Sequence, residues 1–249
     1  MEFRDLVIVP KPKWIELGSG ETMPILYEDR SVMAIDKPRG WMLVPFSWQN
    51  TDWNLQAALV SSIAAGDFWA RSRGLRFLKF VHRLDAETTG VLLLGKSPGA
   101  VTTYGDLFES RKMEKRYLAV VQGRPKEKEW ICRLKLAPDA RERGRMRVDA
   151  RHGKEAETGF RVLETREGVS LVEARPLTGR THQIRVHLAE SGCPVVGDEF
   201  YGKRESRMDL GLRAVELAYV DPFTRRRIEI RAPAEGFLRE YGFEFHKVV

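Results

Sequence analysis

Cysteine is scarce in this chain of 249 residues: there are two, Cys132 and Cys193, far apart and neither in a CxxC pair. Such spacing supports neither a disulfide framework nor a thiolate zinc site, and it suits a reducing compartment, so a cytoplasmic location is expected. Long apolar runs are missing as well. None approaches the roughly 18 residues of a membrane span, and no membrane attachment is expected. The N-terminus, Met1-Glu2-Phe3-Arg4-Asp5, opens with mixed charge and lacks the apolar stretch and small residues of a secretory leader. Acidic residues are in the minority, 35 against 42 lysines and arginines, for a net charge of +7. That balance suits a polyanionic partner, because cations set against phosphates release condensed counterions. Charge alone identifies no function.

What is present is a 43% hydrophobic share, enough for one large core, with no internal repeat or low-complexity tract. Residues 1–20, with Pro10, Pro12, Gly18 and Gly20, read as a mostly irregular lead-in, basic at Lys11 and Lys13, and residues 21–249 as one unit. Ile25-Leu26-Tyr27 and Val32-Met33-Ala34-Ile35 flank a polar Glu28-Asp29-Arg30-Ser31, which predicts two short strands and a turn. Leu55, Leu59 and Ile63 stand at helical spacing, with Thr51 and Asp52 as caps. Val91–Leu94 reads as a buried strand. Ser97-Pro98 reads as an N-cap and first-turn proline, opening a helix whose inner face is Val101, Tyr104 and Phe108. Further strands are predicted at 117–121, 158–163, 170–174, 215–219 and 228–231, and a helix over 181–190 that ends near Gly192. Strands outnumber helices and several connections suit hairpins. An α+β fold follows, with a mixed, mainly antiparallel central sheet and flanking helices rather than a doubly wound parallel sheet.

Two stretches concentrate reactive groups. In Val81-His82-Arg83-Leu84-Asp85-Ala86-Glu87-Thr88-Thr89-Gly90, Arg83 and Asp85 project to one side if the segment is extended. Alone, such a pair reads first as a weak local ion pair. In Leu177-Thr178-Gly179-Arg180-Thr181-His182-Gln183-Ile184-Arg185-Val186-His187-Leu188, cations and amide donors crowd the start of a predicted helix, an arrangement suited to an anion. Alone, it reads equally as a solvated basic face.

Taken in order, these stretches closely resemble the RluA-type family of RNA pseudouridine synthases over nearly the whole chain. Asp36-Lys37-Pro38-Arg39-Gly40 resembles the family's lysine-proline-x-glycine element, and His82-Arg83-Leu84-Asp85 with Thr88-Thr89-Gly90 its catalytic motif. Lys115-Arg116-Tyr117-Leu118-Ala119 resembles its tyrosine motif. Gly179 to His187 resembles its arginine motif, followed by Gly197-Asp198-Glu199-Phe200-Tyr201-Gly202. The resemblance implies a pseudouridine synthase fold with an active-site cleft, formed by residues 21–249, and no S4-type RNA-binding domain is recognisable. It implies that Asp85 is the nucleophile, that Arg185 forms an ion pair with it, and that Tyr117 packs against the target base. It assigns Arg83 to holding RNA with the uridine extruded, and Arg180, Thr181, His182 and Gln183 to the substrate. The expected partner is ribosomal or transfer RNA, the chain is expected to act as a monomer, and neither metal nor cofactor is expected. The chain departs from the pattern at Thr89, where serine is usual, and at Val44, Arg213 and Asp221, where histidine is frequent.

Converting uridine to pseudouridine gains no electrons or atoms, so a carboxylate, a dry pocket and a grip on the loosened base suffice. A paired uridine hides its reacting atoms, so the nucleotide is expected to be flipped out or chosen where it is already exposed. Arg141, Arg143, Arg145 and Arg147 alternate, and on a strand they would form one basic stripe for RNA, with Arg143 and Arg145 as contacts. Two rival readings remain. A metal-dependent hydrolase would draw ligands from His182, His187 and Asp198, but residues five apart lie about 140° around a helix axis rather than on one face. A non-catalytic RNA-binding or RNA-folding protein keeping the fold would need basic surface, not a nucleophile with a matched partner.

Overall fold

A computed structural model of the chain describes residues 10–18, 20–43, 53–202 and 208–244. Its elements run β1 (Trp14–Glu16), β2 (Thr22–Glu28), β3 (Val32–Lys37), α1 (Leu55–Ala65), α2 (Phe68–Arg71), β4 (Lys79–Phe80), β5 (Thr89–Gly95) and α3 (Pro98–Glu109). They continue through β6 (Glu114–Gln122), β7 (Glu129–Cys132), β8 (Leu136–Pro138), β9 (Met146–Val148), β10 (Thr158–Arg166), β11 (Val169–Pro176), α4 (Gln183–Glu190), β12 (Leu212–Val220), β13 (Arg227–Arg231) and α5 (Glu235–Glu240).

Eleven strands make one sheet along the path β1-β2-β3-β5-β12-β6-β11-β10-β7, with β4 beside β5 and β13 beside β12. β8 and β9 form a separate two-stranded ribbon. Among the strands of the described residues, only β5 and β12 pair in parallel, through Thr89 with Arg213 and Gly90 with Ala214, and this pair joins the two antiparallel halves. Gly90 sits at that seam with φ +108°, and a Cβ there would overlap the Ala214 carbonyl, so no other residue fits.

Both faces of the sheet are covered, which is why β5 reads as a continuous apolar run. Leu92 and Leu94 pack with α1 and α2, whereas Val91 and Leu93 pack with Ala100 and Tyr104 of α3. In the other half, Ala119, Val172 and Ala174 pack on Ile184 and Leu188 of α4, and Leu118, Val120 and Leu171 on Phe237 and Leu238 of α5. Tyr117 touches the clusters of both halves on the α4 side.

Several expectations are refined. Ser97 does cap α3, its side chain accepting from Ala100 N–H, and Tyr104 is fully buried while Val101 and Phe108 are half-buried. Asn54 caps α1 by accepting from Ala57 N–H; Thr51 and Asp52, like Val44 and Pro45, lie outside the described residues. Trp14–Glu16 of the expected irregular lead-in forms an edge strand instead, since its exposed-buried-exposed alternation places Ile15 in the core. The helix expected from Thr181 starts at Gln183, because His182 takes the left-handed conformation, φ 53°. Arg141 to Arg147 is not a strand. Asp139 accepts from Arg141 N–H, Gly144 has φ +88°, and Arg145 N–H bonds to the Glu142 carbonyl, so a turn breaks the alternation and only Met146–Val148 is extended.

Residues 90–97 also carry the Gly-x4-Gly-Lys-Ser spacing of a phosphate-binding loop. Here the spaced residues are strand β5, Lys96 pairs with Glu28 at 2.6 Å, and Ser97 is spent on its cap, so no cradle forms. Of the three departures from histidine, the two among the described residues are structural: buried Arg213 pairs with Asp36 at 2.7 Å and donates to the Pro233 carbonyl, while Asp221 accepts from Tyr104 and Thr224.

Candidate active site

Asp85 lies on the loop between β4 and β5, close to the seam of the two halves. The loop is held from beneath by Lys37, the last residue of β3, which is fully buried and donates to the carbonyls of Pro38, Ala86 and Thr88 at 3.0, 2.7 and 3.0 Å. Burial pushes the Lys37 ammonium down to about 8. His82 anchors the loop's other end: its Nε2 accepts from Leu93 N–H at 3.1 Å and its ring stacks on Phe108 at 4.5 Å. Burial lowers this imidazole to about 3, so it is neutral. The Asp85 side chain, 22% exposed, is left facing the cleft.

The opposing wall is α4. Arg185 Nη1 lies 3.2 Å from Asp85 Oδ2, while Nε and Nη2 grip the fully buried Asp198 at 2.7 and 2.8 Å. Burial alone would lower the Arg185 guanidinium, but its hydrogen bonds to Asp198 and the charge of Asp85 more than offset this and hold it above its ordinary range. Asp198 thus fixes the cation in place, and the cation in turn faces the open carboxylate. Its Oδ1 also accepts from Phe200 and Tyr201 N–H, ordering the turn that covers the arginine.

The third wall is β6. Lys115 and Tyr117, two residues apart on one face, line a cleft of about 480 Å³ together with Asp85, Phe108, Arg180 and Arg185. Burial raises the Tyr117 phenol well above its ordinary value, with a further push from Asp85, so the hydroxyl stays protonated. Lys115 donates to the Thr178 carbonyl at 3.0 Å, and burial brings it down to about 8. A second hollow of about 530 Å³ opens on the other side of Asp85, sharing Arg83, His182 and Arg185 and reaching Arg145.

The structure therefore gathers Asp85, Arg185 and Tyr117 around one cleft, with exposed Arg83 and Arg180 at its edge and half-buried Thr181 beside them. Gln183 is committed elsewhere. Its Oε1 accepts from Thr178 Oγ1 and Arg180 N–H, and its Nε2 donates to the Glu157 carbonyl and Thr158 Oγ1, which exhausts its capacity and leaves nothing for RNA. Arg143 sits on the turn before β9 and Arg145 pairs with Glu142 at 2.9 Å, so the expected stripe on one strand face is replaced by a hairpin tip. The three residues weighed as metal ligands have separate partners: His187 meets Thr158 and Leu134, His182 meets Tyr201, and Asp198 meets Arg185. Sequence reasoning gave no role to Lys115 as a cleft residue or to Asp198 as the clamp on Arg185. Both stand inside family motifs, but nothing in spacing reveals which partner a buried carboxylate meets.

A family model described as RNA pseudouridylate synthase matches residues 31–190. The ribosomal large subunit pseudouridine synthase C of Vibrio cholerae is 32% identical over 268 residues, covering 96% of this chain and 79% of that protein. Of solved structures, the human RNA pseudouridylate synthase domain containing 1 superposes with a TM-score of 0.67 at 29% identity, over 88% of this chain and 86% of that one. The human RNA pseudouridylate synthase domain containing 4 gives 0.70 at 22% identity, over 90% and 92%, and bears on the fold alone.

Proposed function

The chain belongs to the RNA pseudouridylate synthase family, isomerases that convert uridine in RNA to pseudouridine, and from that premise we propose that Asp85 is the nucleophile and ribosomal RNA the substrate. One observation carries the reading: the Asp85 carboxylate faces the cleft while Arg185, itself locked by Asp198, stands 3.2 Å away. A guanidinium so held stabilises an ionised carboxylate ready to attack without neutralising it by proton transfer. The reaction breaks the bond between uracil N1 and the ribose, turns the base and rejoins it through C5, whose hydrogen leaves as a proton while N1 takes one up, so that the product is an isomer of the substrate. Tyr117 packs its ring against the loosened uracil while its protonated hydroxyl serves as a donor. Because the reacting atoms of a stacked uridine are covered, the nucleotide leaves its strand, and Arg83 at the mouth of both hollows holds the RNA with that nucleotide extruded. Arg180 and the hairpin tip with Arg143 and Arg145 meet flanking phosphates. Ribosomal RNA is favoured by the name of the Vibrio relative.

The test is tritium release from RNA labelled at uridine C5, prepared from cells lacking the enzyme. Wild type is expected to release tritium and Asp85→Asn none, with mapping placing the modified uridines in ribosomal RNA. Release at the wild-type rate by Asp85→Asn would overturn the nucleophile, and sites confined to transfer RNA would overturn the substrate.

A further inference from the structure

The contacts around His182 favour one of its two tautomers over the other. Tyr201 Oη accepts from Met146 N–H at 2.8 Å and lies 3.0 Å from His182 Nδ1. Tyr201 Oη is thus already an acceptor, and among the described residues Nδ1 is the acceptor within reach of its proton, an arrangement that favours a lone pair on Nδ1 and the hydrogen of the neutral ring on Nε2. Nε2 faces Asp85, 3.9 Å from Oδ1, while Arg185 holds Oδ2. The ring has little freedom to turn away. Its side chain is 7% exposed, it meets Tyr201 edge-on at 5.7 Å, and it tilts against Phe200 at 5.5 Å. The backbone of His182 stays at φ 53°, a conformation that a non-glycine residue keeps where its surroundings over-determine it.

We propose that His182 is a positioning residue for the nucleophile, presenting a neutral Nε2–H to Asp85 Oδ1, and that Tyr201 imposes this tautomer. The inference rests on the reading of Asp85 as nucleophile. Arg185 and His182 then hold one carboxylate oxygen each, the 3.9 Å gap closing when substrate fills the cleft, as hydrogen bonds in free enzymes commonly do. The groups facing the imidazole are Asp85 and Arg83 from the loop before β5, Arg185 from α4, and Asp198 and Tyr201 from the turn beyond it. Burial outweighs the carboxylates and lowers the ring, which keeps it neutral at pH 7. Through Met146 the same chain of bonds ties the arginine-bearing β8–β9 hairpin to the nucleophile.

Two measurements test it. In wild-type protein labelled with nitrogen-15 at histidine, the His182 signals are expected to show Nε2 protonated and Nδ1 bare at pH 7; the reverse tautomer overturns the inference whatever the kinetics. In single-turnover tritium release from C5-labelled RNA, Tyr201→Phe is expected to slow the reaction about tenfold, the worth of one hydrogen bond, with RNA affinity within about twofold of wild type. With the tautomer no longer imposed, protonating both ring nitrogens restores the donor, so the Tyr201→Phe rate is expected to climb as pH falls from 8 to 6, relative to wild type. A merely structural loss gives no such acid recovery. His182→Gln, whose amide N–H reaches a similar point, is expected to keep more activity than His182→Ala and to make a further Tyr201→Phe silent. Full speed for Tyr201→Phe, or a loss independent of pH and additive with His182→Gln, overturns the proposal. An inactive Asp85→Asn beside such results fails this inference alone, and an active one fails the nucleophile reading.

Discussion

Two carboxylates share the Arg185 guanidinium, and replacing each in turn separates stability from chemistry. Asp198 has a fully buried side chain and Arg185 is 7% exposed, whereas Asp85 is 22% exposed and faces the cleft. Asparagine at 198 fits the space and keeps the bonds from Phe200 and Tyr201 N–H, but it sets an amide donor against Arg185 Nε, now 2.7 Å from a carboxylate oxygen. Removing one partner of a buried ion pair leaves the other uncompensated and costs about 3–5 kcal/mol. For a chain of this size that lowers the thermal midpoint by about 6–20 °C. Asp85→Asn leaves the Arg185–Asp198 clamp whole, so its cost stays near that of an exposed pair, about 1 kcal/mol or less. Urea unfolding of wild type, Asp198→Asn and Asp85→Asn, run beside tritium release, therefore yields a crossed result. The 198 variant is strongly destabilised and slowed because its guanidinium collapses onto Asp85; the 85 variant is close to wild type in stability and inactive. Equal stability for Asp198→Asn and wild type, or greater loss for Asp85→Asn, refutes the reasoning.

Gly90→Ala drives a methyl group into the Ala214 carbonyl at a backbone conformation that favours glycine, and is expected to cost about 3 kcal/mol or more, seen as loss of soluble protein or of the unfolding transition. Lys115 titrates at about 8 in the folded protein against about 10.4 unfolded, so between those values the unfolded chain binds the extra proton and stability rises with pH. Urea unfolding at pH 8 and pH 10 is expected to show wild type gaining on Lys115→Met, and a gap that stays constant counts against a buried ammonium. Replacing Arg143 and Arg145 by alanine is expected to weaken RNA binding and flatten its salt dependence by about 0.7–0.9 in the log–log slope for each phosphate no longer neutralised; an unchanged slope removes the hairpin from the RNA interface.

The strands and the motif order are legible because both are written locally. Val91–Leu94 is apolar throughout because the strand is covered on both faces, and Ser97-Pro98 marks a helix start whatever surrounds it. The arginine alternation at 141–147 misleads for the converse reason: period two indicates a strand only where no turn intervenes, and Asp139 with Gly144 supplies one. Gln183 reads as an RNA-binding residue from its place in a motif, yet its hydrogen bonds run to Glu157 and Thr158, 26 and 25 residues earlier, a pairing that no local pattern encodes.

By itself the sequence determined the sheet-rich character of the chain, its family resemblance and the identity of the carboxylate and guanidinium at issue, since these depend on residue type and order. The tertiary structure decided which groups meet. Asp85 and Arg185 are 100 residues apart and come together because the parallel pairing of β5 with β12 joins two antiparallel halves. Asp198 became the clamp, and Tyr201 the partner of His182, because burial leaves each polar atom to find a partner among whatever the fold places within reach.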